Sequence, residues 1–313
     1  RTLAKPKVLF MLPPGWDALG KDSFASDEFE AVLDGREDYK PEEITYFSGF
    51  RPPPGFLKTL PNLKAMFSLG AGVDGFLRDP ELPRLPLTRF VDPTLMHEMA
   101  QYVVMHVLIA HRGQRFFDAA QKESAWRQRM LARPSRDTRI GILGLGDIGG
   151  TIATSLLPFD FQLTGWSRSR KNIPGVKSFA GESELPQFLA RCDYLVCVLP
   201  LTDETRGIID AKLLAQLPQG AWVINVARGA HLIEEDLIAA LDSGHLAGAV
   251  LDVFQAEPLP DESPIWRHPK ITATPHIAGI TDAQAAFAYV ADCVIRCESG
   301  QPLENVVDLT KGY

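Results

Sequence analysis

The 313-residue chain contains no apolar run of about 18 residues, the length a membrane-spanning helix needs. It is also poor in cysteine. Only Cys192, Cys197, Cys293 and Cys297 occur, and neither neighbouring pair has zinc-ligand spacing. Few cysteines in so long a chain point to a reducing compartment, the cytoplasm, and give no reason to expect a metal. Cys293 and Cys297 lie one helical turn apart and read as small buried hydrophobes rather than a redox pair. Positive charge is not in excess either. With 32 Lys and Arg against 39 Asp and Glu the net charge is −7, so nucleic acid and anionic membrane are not expected partners. A small anionic substrate remains compatible with a local cationic site.

What is present is the balance of a globular protein with a sizeable core, 45% hydrophobic and 23% charged, at a length that suits two domains. The start of the chain, through Val8, Leu9 and Phe10 to Pro13-Pro14-Gly15, reads as a first core strand and a corner rather than a signal peptide. Lys7–Leu12 and Leu63–Leu69 read as buried strands, and Arg51-Pro52-Pro53-Pro54-Gly55 as a rigid corner. From Leu95 to about Ala110 apolar residues recur at helical spacing. A polar arm, 112–137, follows and carries Trp126; it reads as a linker region and candidate oligomer contact, with a solvated surface segment as an equal alternative.

Beyond Arg139 the texture becomes regular. Strands are expected at 140–143, 162–166, 194–199, 222–226, 249–253 and 271–273, with helices at 147–157, 211–217 and 234–241. These strands are apolar throughout, as strands buried on both faces are, which predicts a parallel sheet with helices on each side. A last helix, about 283–298, is expected to return to the first domain. The domains are therefore 1–100, then 101–282 for dinucleotide binding, then 283–313 rejoining the first.

The strongest local signal is Gly144-Leu145-Gly146-Asp147-Ile148-Gly149, directly after an apolar run and opening a helical pattern. Gly144 permits the turn, Gly146 lets backbone approach a pyrophosphate, and Gly149 brings helix and strand together, with the helix N-terminus facing the phosphates. At the end of the next strand an NAD enzyme usually carries Asp or Glu. Here stands Trp166-Ser167-Arg168-Ser169-Arg170-Lys171, with no carboxylate and three cations in residues 168–171. Guanidinium groups fit a 2′-phosphate, so NADPH is expected over NADH, which remains possible.

Three ionisable residues, Arg228, Glu257 and His276, each follow an apolar run. In an open parallel sheet that is where ligands bind, and together they suit acid–base chemistry on an anion.

The Gly144–Gly149 loop, Val226-Ala227-Arg228-Gly229, Leu251-Asp252-Val253-Phe254 with Glu257-Pro258-Leu259, Thr274-Pro275-His276-Ile277-Ala278, and Leu69-Gly70-Ala71-Gly72-Val73-Asp74 occur in the order of the D-isomer-specific 2-hydroxyacid dehydrogenases, and the chain resembles that family nearly end to end. Within it, the Trp166–Arg170 segment, Leu259-Pro260 with Ser263-Pro264, and Gly312-Tyr313 are most similar to the glyoxylate/hydroxypyruvate reductase A branch. The resemblance implies a Rossmann-type doubly wound parallel sheet plus a flavodoxin-like, discontinuous substrate domain. It implies a reductase taking glyoxylate to glycolate and hydroxypyruvate to glycerate. In that scheme Arg228 holds the substrate carboxylate, with Ala71 and Gly72 N–H groups on its other side; His276 is the general acid; Glu257 pairs with it; Asp252 orients the nicotinamide amide. Substrate contacts are Ala71, Gly72, Phe50, Arg228 and His276. Cofactor contacts are Gly144, Gly146, Asp147, Ile148, Gly149, Ser167, Arg168, Ser169, Arg170, Leu199, Pro200, Val226, Ala227, Arg228, Asp252, His276 and Ala278. A homodimer with the 112–137 arm reaching the partner is also implied. Two departures stand out: Gln101 where the family usually has Glu, and Phe50 where the branch places a Trp. A reductase of bulkier 2-oxo acids and a non-catalytic dinucleotide sensor remain the alternative readings.

Overall fold

The structure, a computed structural model, describes all residues except 1–4, 14, 15, 17, 18, 20, 131, 132 and 310–313. The Pro14-Gly15 corner and the Gly312-Tyr313 motif lie outside the described residues. The chain forms two compact units, one of residues 1–95 with 281–313 and one of residues 96–280. The crossings fall at 95/96 and 280/281, five and two residues before the expected ones.

The first unit is built on β1 (Lys7–Met11), β2 (Glu30–Leu33), β3 (Ile44–Gly49), β4 (Ala65–Ser68) and β5 (Leu87–Arg89), all parallel, in the order β2-β1-β3-β4-β5. That order is the flavodoxin-like one. Alternate side chains feed two cores. Val8, Phe10, Tyr46 and Phe67 pack with Phe287, Val290 and Val294, while Leu9, Phe47, Met66 and Leu87 pack with Leu57, Phe76 and Val307. A four-residue helix, α1 (Asp74–Leu77), follows β4.

The second unit begins within α2 (Pro93–Arg112) and α3 (Gln114–Lys122), the latter a helix inside the segment expected to be a linker. It continues through β6 (Arg139–Leu143), α4 (Asp147–Leu156), β7 (Gln162–Ser167), β8 (Val176–Ala180), α5 (Gly181–Leu189), β9 (Tyr194–Cys197), α6 (Ala211–Leu214), β10 (Ala221–Asn225), α7 (Glu234–Asp242), β11 (Leu246–Leu251) and β12 (Ile271–Ala273). The seven strands are parallel in the order β12-β11-β10-β9-β6-β7-β8, the doubly wound arrangement. One face of the sheet (Leu143, Leu195, Val223, Leu251) packs on Phe188, Leu213 and Leu237; the other (Ile142, Val196, Ile224, Val250) packs on Met99, Val103, Val107 and Ile152. Helix α8 (Ala283–Ser299) returns the chain to the first unit through Ala286, Phe287, Val290, Cys293 and Val294.

At the sheet's entry edge, Asp193 accepts Arg139 N, Nε and Nη2 at 2.9, 3.0 and 2.7 Å, and Arg133 Nη1 at 2.7 Å. Burial pushes its carboxyl up, but the fork and backbone N–H of Arg139 outweigh that and hold it below the ordinary carboxylate value. Among the described residues no helix is long and apolar enough to cross a membrane.

Strand β6 runs so close to its cover that a Cβ on Gly141 would lie 2.1 Å from Cys192 Sγ and 3.0 Å from the Phe188 ring. Gly141→Ala should therefore destabilise the fold by about 1–3 kcal/mol, the range for overpacking. Thermal unfolding should show part of that loss recovered in the Gly141→Ala, Cys192→Ala double variant; equal melting of the single and double variants would contradict the packing argument.

Candidate active site

Parallel pairing sets the geometry. Asn225 of β10 stands opposite Leu251 of β11, which stands opposite Ala273 of β12. Arg228, Glu257 and His276 follow those positions by three, six and three residues, so all three lie on loops leaving the same edge of adjacent strands.

Each loop is braced separately. Asn225 is fully buried; its Oδ1 accepts Ala227 N at 3.2 Å and its Nδ2 donates to Arg228 O at 3.1 Å, which curls the chain into the Arg228 loop. Next to it, a Cβ on Gly229 would sit 1.8 Å from the Phe254 carbonyl carbon, so only glycine allows the β10 and β11 loops to touch. Arg228 Nη1 donates to Ala227 O at 2.7 Å. Glu257 Oε1 accepts Phe254 N at 3.0 Å, fixing the carboxylate to its own loop.

The other oxygen, Oε2, lies 2.9 Å from His276 Nδ1. A carboxylate acceptor keeps a proton on Nδ1 and leaves Nε2 as the nitrogen that can exchange one. The imidazole is reachable, with 39% of its side chain exposed, against 20% for Glu257. His276 has φ +56°, a left-handed conformation uncommon outside glycine, and such conformations concentrate at functional sites. Its N–H is held by Asp252 O at 2.9 Å and Thr274 O at 3.0 Å.

The glycine loop adopts the form its sequence requires. Gly144 has φ +114° and a Cβ there would crowd the Val198 carbonyl at 3.0 Å, while a Cβ on Gly149 would lie 1.8 Å from Gly144 O. At Gly146 nothing lies within 4 Å of the added Cβ. Gly146 is the N-cap of α4 and brings no side-chain cap, leaving backbone donors at the helix N-terminus for an anion. These features fit a bound dinucleotide.

The sequence model of the D-isomer specific 2-hydroxyacid dehydrogenase NAD-binding domain matches residues 104–278. This chain belongs to the D-isomer-specific 2-hydroxyacid dehydrogenases. It is also similar to three solved structures over 99% of its own length and 100% of theirs. A D-isomer-specific 2-hydroxyacid dehydrogenase from Xanthobacter autotrophicus Py2, in complex with NADPH and MES, is 40% identical with a TM-score of 0.89. The NADPH-dependent glyoxylate/hydroxypyruvate reductase from Sinorhizobium meliloti, with NADP and sulfate, is 37% identical with a TM-score of 0.91. A probable 2-hydroxyacid dehydrogenase from Rhizobium etli, with NADP, HEPES and L(+)-tartaric acid, is 35% identical with a TM-score of 0.90.

In this dehydrogenase the segment after β7 departs in detail from a simple cationic cluster. Ser167 is buried and its hydroxyl donates to Ser169 O at 2.7 Å. Arg170 turns to Ser178 O at 2.5 Å and to Glu184 at 2.6 Å, while Arg168 is exposed. Leu199, Val226, Ala227 and Ala278 are buried, and Asp147 and Pro200 are exposed. Ile148 is half-buried and packs on the α2–α4 side of the sheet.

In the first unit, Ala71 and Gly72 are half-buried in the loop after β4. Ser68 Oγ lies 3.0 Å from Gly70 O and 3.1 Å from Gly72 O, shaping that loop. Phe50 abuts it, since a Cβ on Gly70 would be 3.0 Å from the Phe50 ring, and Trp16 meets Phe50 edge-on at 5.8 Å.

Sequence reasoning missed Asn225, a polar residue in an apolar strand and so a legible signal. It also missed His231, fully buried three residues after Arg228. His231 Nδ1 lies 3.2 Å from Arg228 N and Nε2 lies 3.2 Å from Pro200 O, linking the β10 and β9 loops. No spacing motif announces it.

Because Gly146 has open space around it and an ordinary φ of −82°, Gly146→Ala should leave the melting temperature unchanged. It should nevertheless weaken dinucleotide binding roughly tenfold, about 1.4 kcal/mol, by holding the pyrophosphate off the backbone. Calorimetric titration checks this; unchanged affinity would mean the phosphates do not lie against Gly146.

Proposed function

We propose that this dehydrogenase is an NADPH-preferring reductase of small 2-oxo acids, converting glyoxylate to glycolate and hydroxypyruvate to glycerate. The carrying observation is the 2.9 Å contact of His276 Nδ1 with Glu257, on neighbouring loops of the dinucleotide-binding sheet. NADPH supplies the hydride that reaches the carbonyl carbon. His276 Nε2 delivers a proton to the carbonyl oxygen as negative charge gathers there, and Glu257 stabilises the imidazolium before transfer and holds the ring afterwards. Arg228 binds the substrate carboxylate and the developing oxyanion as a fixed cation. In reverse, neutral His276 takes the hydroxyl proton. Reduction therefore needs the ring in its protonated form.

Asp252, expected at the nicotinamide amide, is instead buried with both carboxylate oxygens engaged by the His276 loop. Ala71 and Gly72 supply backbone donors to the substrate carboxylate, with Phe50 beside them. The absence of a carboxylate after β7 supports NADPH, as does the cofactor of the three related structures. Arg168, exposed directly after β7, is the residue for the 2′-phosphate. The glyoxylate and hydroxypyruvate assignment is supported by the similarity to the Sinorhizobium reductase.

Loss of reduced-nicotinamide absorbance tests this directly. Rapid turnover of both acids is expected with NADPH, and much slower turnover with NADH. Arg168→Ser should raise KM for NADPH about tenfold, the worth of a charge-assisted hydrogen bond, without changing KM for NADH. His276→Asn should lower kcat by about 10²–10⁴-fold. Equal use of both donors would remove the cofactor preference. Dinucleotide binding without turnover would shift the reading to bulkier 2-oxo acids and then to a sensor.

We also propose a homodimer. Trp126 and Met130, 93% and 90% exposed on the 112–137 arm, are large apolar groups of the kind that partner surfaces cover. Sedimentation should give twice the 34.5 kDa chain mass; a monomer at working concentration would overturn the proposal.

A further inference from the structure

The His276 loop is fixed by one buried carboxylate. Asp252, 1% exposed, accepts Ile277 N at 2.9 Å and the Thr274 hydroxyl at 2.6 Å on Oδ1, and Ala278 N at 2.8 Å on Oδ2. Both sides of His276 are thus tied to a single group, while its own N–H is tied to the Asp252 carbonyl. These bonds hold His276 in its left-handed conformation.

Thr274 has one hydroxyl proton and gives it to Asp252, so the Tyr102 oxygen, 2.5 Å away, must be the donor to Thr274. Tyr102 comes from helix α2, far in sequence from the loop. It is 8% exposed, and its ring lies 4.4 Å from the ring of His106. Burial raises the Tyr102 hydroxyl to about 12, so it stays protonated and able to donate. Burial also lowers His106, which favours a neutral ring beside Asp252, and its Nε2 has no partner among the described residues. Among the described residues the Asp252 carboxylate accepts from one hydroxyl and two backbone amides.

We propose that Tyr102 is a positioning residue, acting through Thr274 and Asp252 to hold His276 in the orientation proton transfer requires. Its catalytic consequence rests on the function proposed above. The ring packs in the buried cluster with Met99 and Val103, and the hydroxyl meets Thr274. It supplies the donor that keeps Thr274 turned towards Asp252, and so couples the loop to a rigid helix.

The test uses Tyr102→Phe, Thr274→Val and Thr274→Ser in the full chain. Kinetics with NADPH and glyoxylate are read together with amide exchange at Ile277 and Ala278. Tyr102→Phe and Thr274→Val should each lower kcat about tenfold, the order expected for a misplaced catalytic group, with KM for glyoxylate nearly unchanged. The double variant should be no worse than either alone, and Thr274→Ser, which keeps the hydroxyl, should restore activity. Exchange should quicken at Ile277 and Ala278 while β10 and β11 stay protected. Wild-type kcat and exchange in Tyr102→Phe would overturn the proposal, as would faster exchange throughout the sheet with a fallen melting temperature. If the wild type reduces no 2-oxo acid, the function fails separately, and exchange at Ile277 and Ala278 still decides whether the tether exists.

Discussion

The alignment of Asn225, Leu251 and Ala273 across three parallel strands is the constraint on which the site depends. Parallel strands send their chains out of the sheet at one edge, so residues a few positions beyond aligned strand ends occupy one region without any long-range contact to place them. A slip of one residue in β11 against β10 would move Asp252 and the Glu257 loop relative to Arg228. The register is secured by full burial on both faces, where such a slip would exchange every side chain between two filled cores. Hydrophobic packing thus sets the chemistry's coordinates, and hydrogen bonds refine them.

What was legible in the sequence follows from the same physics. Strands of the second unit are apolar on both faces and long enough to read as runs, so β6, β7, β9, β10, β11 and β12 were visible. β2 and β5 were not: β2 opens on the exposed Glu30, and β5 is Leu87-Thr88-Arg89, with one apolar residue in three. Nor was β8, which is half-buried with Lys177 exposed and lies at the sheet edge. β3 was obscured by Ser48 and Gly49; its serine is satisfied by the Phe67 carbonyl, a partner no local pattern reveals. Arg228, Glu257 and His276 stood out in the sequence as ionisable residues after apolar runs, and the parallel pairing places them on loops of adjacent strands. The Tyr102–Thr274–Asp252 chain was hidden because its partners lie far apart in sequence, and His231 because no motif accompanies it.

Electrostatics divide the work in a similar way. Around the glycine loop the protein offers backbone dipoles at the α4 N-terminus and, at the end of β7, the exposed Arg168. Arg170, though part of the same basic run, is committed to Glu184, which also accepts Ala180 N at 2.7 Å. Those contacts hold the Glu184 carboxyl below its ordinary value. The run of three cations in the sequence therefore separates into Arg170, which shapes the β8–α5 corner, and the exposed Arg168 and Lys171. Composition alone treats the three as equivalent.

The His276 loop combines a strained backbone with a nucleus of satisfied polar groups, and the two need each other. A left-handed non-glycine residue costs of order 1–3 kcal/mol and persists only where its surroundings over-determine it. Asp252 does so with its carbonyl and both carboxylate oxygens. A buried carboxylate without a cation is itself costly unless each oxygen finds donors. The loop's N–H groups and Thr274 are those donors. Strain at His276 and burial of Asp252, each unfavourable alone, therefore become one stable arrangement, whose product is an imidazole with Nδ1 fixed on Glu257.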